Sequence, residues 1–526
     1  MKSKIKLFIM GMVLMLVGSC DPTLIDEDPL GPTEASFFSN VDEFRSQLVS
    51  VYAAYYDWYH FSAPSFNFGG YVTGTFLLPG DDLTTRDDIR NEVELFDGSL
   101  NPTQNRVTWV YEASYKAITR ANVTIEKVRT IDFSDFEGAN EIAGMEGEAL
   151  FLRAYAYYTL FNNFGDVPII TERILEREFT NTPKSPALEV LGQAISDAQA
   201  AIAILPESWD AVNQGRITKN SARGLLAKAL VFRANYNGGD STDFQAAISA
   251  FNGITASLTP DFIDNFSAFT ENNEESLYEI QATQAAAINN LILHNDGPWR
   301  GVENSSVYHG YRMEPGGGGF NDASTKFYIT EKLQSAYGTD PRINVFLNPD
   351  DGNEGRIFQK YNKPDGVNSL TPPHGGSANN ERLLRYADVK LIVAEAELKT
   401  GNPAAAIGHL NDIRSRARTW ATAGGFGDGT VPADYDTGET NTDLIMQWIM
   451  DERWIELAGE GQRWYDLKRW HASGNLDLTG WGGGIEHFST NLASPVQFDV
   501  SKHLLFPLPQ SEIDRNSAIN ENNPGY

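Results

Sequence analysis

Large apolar residues recur three or four positions apart along most of this chain, a period that predicts helices rather than strands. Phe44, Leu48, Val51, Tyr52 and Tyr55 form the first such stripe and give an amphipathic helix ending near Tyr59. The pattern resumes at Arg106, where Val110, Ser114, Ala117, Ala121 and Ile125 share one face of a long helix. Three later stretches, 148–161, 222–235 and 387–398, repeat one theme. Each is rich in alanine, carries a large residue every third or fourth position and precedes a second amphipathic helix. Alanine lets neighbouring helices approach closely, so pairs of this kind predict tetratricopeptide-like units stacked into a superhelical scaffold. The clearest turn inside a pair is Gly401-Asn402-Pro403, with glycine ending one helix, asparagine capping the next and proline at its first position. Spacing between pairs is irregular. The expected fold class, mainly α with long irregular loops and little β, therefore rests on the pairs and not on a fixed repeat.

One stretch departs from the alanine-rich theme. Residues 448–470, WIMDERWIELAGEGQRWYDLKRW, hold four of the ten tryptophans and a dense set of charges. Ile445, Trp448, Ile449 and Ile455 make one stripe and Trp464, Leu467 and His471 another, so two helices are expected with a break at Gly459 and Gly461. Arg453 and Glu456 are three apart, as are Glu460 and Arg463. Each pair is expected to share a helix face and neutralise itself in a structural charge network, with no catalytic role.

The same stretch resembles the ERxxELxxEGQRWxDLxRW segment of the SusD/RagB family, here Glu452-Arg453, Glu456-Leu457, Glu460-Gly461-Gln462-Arg463-Trp464, Asp466-Leu467 and Arg469-Trp470. FNNFGDVPII at 161–170, RYADVKLIVAEAE at 385–397 and the closing segment from Leu505-Phe506-Pro507-Leu508-Pro509 to Asn523-Pro524-Gly525-Tyr526 carry the resemblance over nearly the whole mature chain. Asn522 stands where the family commonly has Gln. The resemblance implies a helical, non-catalytic, surface-exposed lipoprotein that binds glycans or other nutrients for a SusC-like TonB-dependent porin of the outer membrane. The N-terminus fits an anchored protein: Lys2, Lys4 and Lys6 precede an apolar run from Leu7 to Val17 that suits a signal peptide and is too short for a span. Val17-Gly18-Ser19-Cys20 resembles a lipobox, which implies lipidation of Cys20 and attachment to the membrane through lipid alone. The expected organisation is a signal peptide at 1–19, a flexible tether at 20–35 and a binding domain at 36–526, with an N-terminal part of about 36–235 and a C-terminal part of about 275–526.

Charge narrows the partners. The formal net charge is −29, more negative still once the three leader lysines leave, and so acidic a surface repels phosphate backbones. Nucleic acid is not an expected partner. A single cysteine excludes a disulfide framework and a cysteine-rich zinc site. No G-x-S-x-G elbow, phosphate loop or H-E-x-x-H motif occurs, the eight histidines are scattered, and no cofactor is expected. Asn348, Asp350, Asp351, Asn353 and Glu354 crowd oxygen ligands into one loop, but without EF-hand spacing they read as a solvated turn.

What remains is a binding surface. A sugar ring has apolar faces and a hydroxyl rim, so its receptor needs flat aromatics beside Asp, Asn, Gln or Arg. Two loop regions offer that mixture: Trp58, Tyr59, Phe66, Phe68 and Tyr71 with Asp81, Asp82 and Arg86, and Trp299, Tyr308 and Tyr311 with Arg300 and Asn304. Trp299 stands out, because it follows Pro298 in a stretch where no helix face claims it. The first loop sets Asp81, Asp82, Asp87 and Asp88 against Arg86 and Arg90, which favours a neutral glycan. A lipid-anchored glycoside hydrolase and a repeat scaffold for protein contacts are the alternatives.

Overall fold

The computed structural model describes residues 34, 36–59, 76–85, 92–175, 181–281, 327–345, 360, 380–482 and 496–526, the side chains of 56–59 and 327 excepted. The apolar stripes become helices at the expected places. Helix α1 (Val41–Tyr59) buries Phe44, Leu48, Val51 and Tyr55, and α2 (Asn105–Thr130) buries Val110, Ser114, Ala117, Ala121 and Ile125. In α3 (Ala139–Phe164) every residue from Gly147 to Phe164 is buried, because α1, α2, α4 (Ala187–Ile204) and α5 (Lys219–Tyr236) all pack on it. A helix enclosed on several sides must be apolar all round or match its charges, and Arg153 does the latter with a two-pronged bond to Asp197 of α4 at 2.8 and 2.7 Å.

The alanine-rich helices α3, α5 and α8 (Tyr386–Lys399) each pack against their successors α4, α6 (Ser241–Asn252) and α9 (Pro403–Ala423), and α8 also packs on α5 and α6, which carries the stack onward. Close approach has a concrete limit at Gly224 of α5, where a Cβ would stand 2.8 Å from Leu277 and 3.2 Å from Leu384. Larger residues there would push the helix off the sheet strands beneath it. The Gly401-Asn402-Pro403 turn forms with Gly401 at φ +89° and Pro403 opening α9, with one correction. The Asn402 side chain does not cap α9; it donates to Glu397 Oε2 at 3.0 Å.

Two short antiparallel ribbons complete the frame. Strand β1 (Leu83–Thr85) pairs with β3 (Phe327–Ile329), Thr85 opposite Phe327, and β2 (Ser276–Ile280) pairs with β4 (Glu381–Arg385), Ile280 opposite Glu381. Helix α7 (Glu331–Tyr337) follows β3 directly. Helices α10 (Thr442–Leu457) and α11 (Arg463–Ala472) pack against α8 and α5, and a short α12 (Gln510–Arg515) precedes the C-terminus. The closing segment straps the end of α3: Asn523 Nδ2 donates to the Phe164 and Phe506 carbonyls at 2.8 and 2.6 Å, while Asn522 both accepts from and donates to the Leu508 backbone. One continuous hydrophobic core runs from Phe38 to Ile519 through both parts of the expected binding domain. Among the described residues no helix is long and apolar enough to cross a membrane.

Candidate ligand-binding site

The tryptophan-rich stretch breaks where its glycines stand, with Gly459 at φ +73° and Gly461 at φ +71°, a backbone region that side chains with a Cβ rarely enter. Its charges do form a buried network, but not with the partners their spacing predicts. Arg453 turns from Glu456 to Asp466 of α11 and Asp388 of α8, at 2.7 and 2.9 Å, and Asp388 also takes Lys228 of α5 at 2.5 Å. Glu456 accepts from Arg342, Arg385 of β4 and Arg416 of α9. Glu460 accepts from Lys360 and Arg385, and Arg463 from the same segment reaches Asp81. Sequence spacing fails here because α10 is enclosed, so its long side chains meet arms from other elements before they meet each other. Against the effect of burial, Lys228 and Arg453 hold Asp388 down to about 2, and Arg416, Arg385 and Arg342 hold Glu456 well below the usual carboxylate range.

This network fixes the bases of the candidate ligand loops. Glu275 leads into β2, Arg385 ends β4, and they bond at 2.7 Å while both engage the α9–α10 charges. At the other ribbon, Thr330 after β3 donates its N–H to the Asp82 carbonyl and its hydroxyl to the Asp81 carbonyl, at 3.0 and 2.7 Å. The chain passes from β1 to Arg86 and enters β3 from residue 326 at the same end of the ribbon. Arg86, at the start of the stretch after β1, and the segment that runs from Trp299 to Tyr311 into β3 therefore share one root, whereas the aromatics at 58–71 precede β1 in the chain and reach it through Phe76.

Of the individual candidates, only Asp81 and Asp82 have described side chains. Asp82 is 1% exposed, not on a ligand rim: its Oδ2 accepts the Gly459 N–H at 2.9 Å and its Oδ1 has no partner among the described residues. Trp58 and Tyr59 belong to the last turn of α1, but their side chains lie outside the described residues, as do Phe66, Phe68, Tyr71, Arg86, Trp299, Arg300, Asn304, Tyr308, Tyr311, Cys20 and the 348–354 loop. Asp81 is fully buried between Arg463 Nε at 2.5 Å and Lys332 Nζ at 2.7 Å. Burial opposes its charge, but these two cations outweigh burial and hold it below the ordinary value, whereas burial pushes Asp82 up to about 6. Adjacent carboxylates with divided pKa values are an acid–base pattern, yet neither reaches the surface where a glycosidic bond would lie.

Sequence reasoning missed Lys332 and Trp481 at this corner and gave Arg463 another partner. Arg463 stacks 4.4 Å from the Trp454 ring centre, and Lys332 lies 5.6 Å from Trp454 and 5.1 Å from the partly exposed Trp481. The signal for Trp481 was available: it stands in TGWGGG without helical periodicity, the criterion that selected Trp299. Below the corner is a cavity of about 40 Å³ bordered by Phe76, Tyr158, Lys228, Glu381, Gly459 and Tyr465, room for water and not for a sugar ring. Among the described residues no group of three or more His, Cys, Asp or Glu is placed to hold a metal ion.

Residues 231–526 match the family model described as the SusD family, and residues 81–231 match one described as starch-binding associating with outer membrane. Over 99% of its length the chain is 28% identical to SusD-like protein P2 of Formosa agariphila, all of which is covered. Among solved structures it is similar to a SusD homologue from Bacteroides thetaiotaomicron, with a TM-score of 0.75 and 21% identity over 94% of this chain and 99% of that one. It is also similar to a laminarin-binding SusD-like protein, with a TM-score of 0.70 and 23% identity over 93% of this chain and 100% of that one. At these identities the two structures bear on the helical fold alone.

Proposed function

The chain belongs to the SusD family of non-catalytic, outer-membrane-associated glycan-binding proteins, and from that premise we propose that it captures an oligosaccharide at the β1–β3 corner and passes it to a SusC-like TonB-dependent porin. The observation that carries this reading is the β1–β3 pairing, which sets Arg86 and the segment carrying Trp299, Arg300, Asn304, Tyr308 and Tyr311 at one end of the ribbon; these residues, with Trp58, Tyr59, Phe68 and Tyr71 from the stretch that precedes β1, are the proposed ligand contacts. A rigid helical frame with its bases locked by buried ion pairs suits a site whose aromatics must stay aligned with a sugar chain.

The acid count that favoured a neutral glycan loses two of its terms, since Asp81 and Asp82 are buried and Asp81 is matched by two cations. We keep the neutral polymer as the proposal, with laminarin, the uncharged glycan bound by one of the similar proteins, as the first to test. Calorimetric titration of the purified protein with laminarihexaose, xylohexaose and an oligogalacturonate tests the reading, with reducing-end assays run alongside. Binding without new reducing ends is expected; steady product release would mean a hydrolase, and binding of none of the three would favour a scaffold for protein contacts. Trp299→Ala should weaken the bound glycan about thirtyfold, the loss of one stacked indole.

Cys20 is the proposed lipid anchor. Cys20→Ala should move the protein from the membrane to the soluble fraction, and firm retention would place the anchor elsewhere. Near the end of the expected tether, Glu34 bonds Lys127 of α2 and Arg173 at 2.7 and 2.5 Å, which joins that point of the chain to the helical frame. Gentle detergent extraction should recover a large β-barrel protein with the chain, and its repeated absence would count against the porin.

A further inference from the structure

We propose that Trp481 and Lys332 form a ligand-contacting shelf of the glycan site, with Asp81 as its positioning residue. The inference rests on the glycan-binding reading above and adds residues that neither loop supplies. Lys332 stands in the first turn of α7, a helix whose start is fixed by Thr330: the hydroxyl accepts the Leu333 N–H at 3.0 Å and donates to the Asp81 carbonyl. The Lys332 side chain is 42% exposed while its counterion Asp81 is buried and already bonded to Arg463. A lysine so exposed adds little to stability through such a pair, and neutralising Asp81 does not require it.

The ammonium is therefore a surplus cation clamped in place at the surface, 5.1 Å from the centre of the Trp481 ring. That ring is clamped too, by its own N–H donated to the Pro79 carbonyl at 3.3 Å and its backbone N–H to Leu478. The Trp481 side chain is partly exposed, and among the described residues a Cβ on Gly480 or on Gly482 would meet nothing within 4 Å. A flat apolar face beside a fixed donor is what a sugar ring with its hydroxyl rim requires. An unpartnered lysine would wander over many rotamers; here Asp81 has removed that freedom before the ligand arrives, which lowers the entropy lost on binding.

The test is titration with laminarihexaose, or with whichever hexasaccharide of the panel binds, for wild type, Trp481→Ala, Trp481→Phe and Lys332→Met, each beside its melting temperature. Trp481→Ala and Lys332→Met should each weaken binding about tenfold with melting close to wild type, and Trp481→Phe, which keeps a flat face, should recover most of the affinity. Asp81→Asn, which still carries an acceptor but no charge, should weaken binding through a less favourable entropy. Unchanged affinity in both Trp481→Ala and Lys332→Met would overturn the shelf while leaving the glycan reading intact. So would an affinity loss that Trp481→Phe does not relieve or that merely follows a fall in melting temperature. If wild type binds no member of the panel, the glycan reading itself falls and the shelf with it.

Discussion

Two of the buried charge clusters among the described residues pair carboxylates with arginine and lysine alike and are finished to different degrees. Around the tryptophan-rich stretch, all eight carboxylate oxygens of Glu275, Glu452, Glu456 and Glu460 accept hydrogen bonds from Arg342, Lys360, Arg385, Arg414, Arg416 and neighbouring groups. There the buried atom with no partner among the described residues is a donor nitrogen, Arg416 Nε, whereas at the β1–β3 corner it is a carboxylate oxygen, Asp82 Oδ1, beside the equally unpartnered Trp454 indole N–H, and Lys332 is 42% exposed. A network in which every carboxylate oxygen is bonded specifies one arrangement of the elements that meet in it. Unmatched buried groups lower stability, and a chain retains them where something other than stability is served. The difference separates the frame from the site.

Glu456→Gln tests the frame and should have the largest effect. The substitution leaves Arg342, Arg385 and Arg416 facing one another around a neutral amide, and breaking a buried ion cluster on one side costs on the order of 3–5 kcal/mol. Urea unfolding at pH 7 should show that loss as a lowered midpoint. Stability from Glu456 and Asp388, whose folded pKa values are depressed, should be full above the ordinary carboxylate range and lost as pH falls through it towards their folded values. A midpoint within error of wild type would mean that the network contributes alignment and no net stability.

The frame was largely legible in the sequence and the partners within it were not. The stripe from Phe44 to Tyr55 and the face from Val110 to Ile125 are local periodic signals, and they placed α1 and α2 correctly because one apolar face per helix is enough to seat it. Arg453 defeats the same reasoning. Its carboxylates come from Asp388 and Asp466, brought beside it by the packing of α8 and α11, and no spacing along α10 encodes that. Asp81 and Asp82 fail for a related reason: they sit in a glycine- and acid-rich stretch that reads as solvated, and only the ladder from Leu83 to Thr85 with Phe327 to Ile329 reveals that the segment is pulled inside. Trp481 was readable by the criterion applied to Trp299; what the sequence lacks is its neighbour, since Lys332 lies about 150 residues away.

Asp82→Asn examines the unfinished corner and should act in the opposite direction to Glu456→Gln. The folded pKa of about 6 exceeds the ordinary 3.8, so the native chain binds more protons than the unfolded one between those values. Stability from this group falls as pH rises through that window, and the full deficit, on the order of 3 kcal/mol, is present above it. Asparagine keeps an acceptor for the Gly459 N–H without the charge, so the variant should be about 1–3 kcal/mol more stable at pH 8 and no different below pH 4. Loss of stability at pH 8 would show that the Asp82 charge is needed where it lies.

Thr330→Ala should cost less, about 1–2 kcal/mol, the range for losing a helix cap. It removes the acceptor for Leu333 N–H and the hydroxyl bond that ties β3 to the Asp81 carbonyl, while the Thr330 backbone bond to Asp82 remains. Hydrogen exchange should quicken at residues 327–337 and stay unaltered at Gly459, because the latter amide is held by Asp82 alone. Faster exchange at both places would join the ribbon and the glycine break into one cooperative unit.

Lys332→Met should have the smallest effect on stability and gives the sharpest division between the clusters. Removing Arg342 from the first network takes the donor from two buried carboxylate oxygens, Glu452 Oε1 and Glu456 Oε2; removing Lys332 leaves both Asp81 oxygens bonded to Arg463, and the lost ammonium was 42% exposed. Solvent already screens such a pair, so the cost should stay below about 1 kcal/mol and shrink further in high salt. Methionine also keeps most of the alkyl stem against Trp454 and Trp481, so packing changes little. Urea midpoints at low and high ionic strength measure both terms. A loss as large as that of Glu456→Gln would make Lys332 a member of the frame, whereas a small loss that salt erases leaves its place over the indole unexplained by folding and puts it on the binding side of the division.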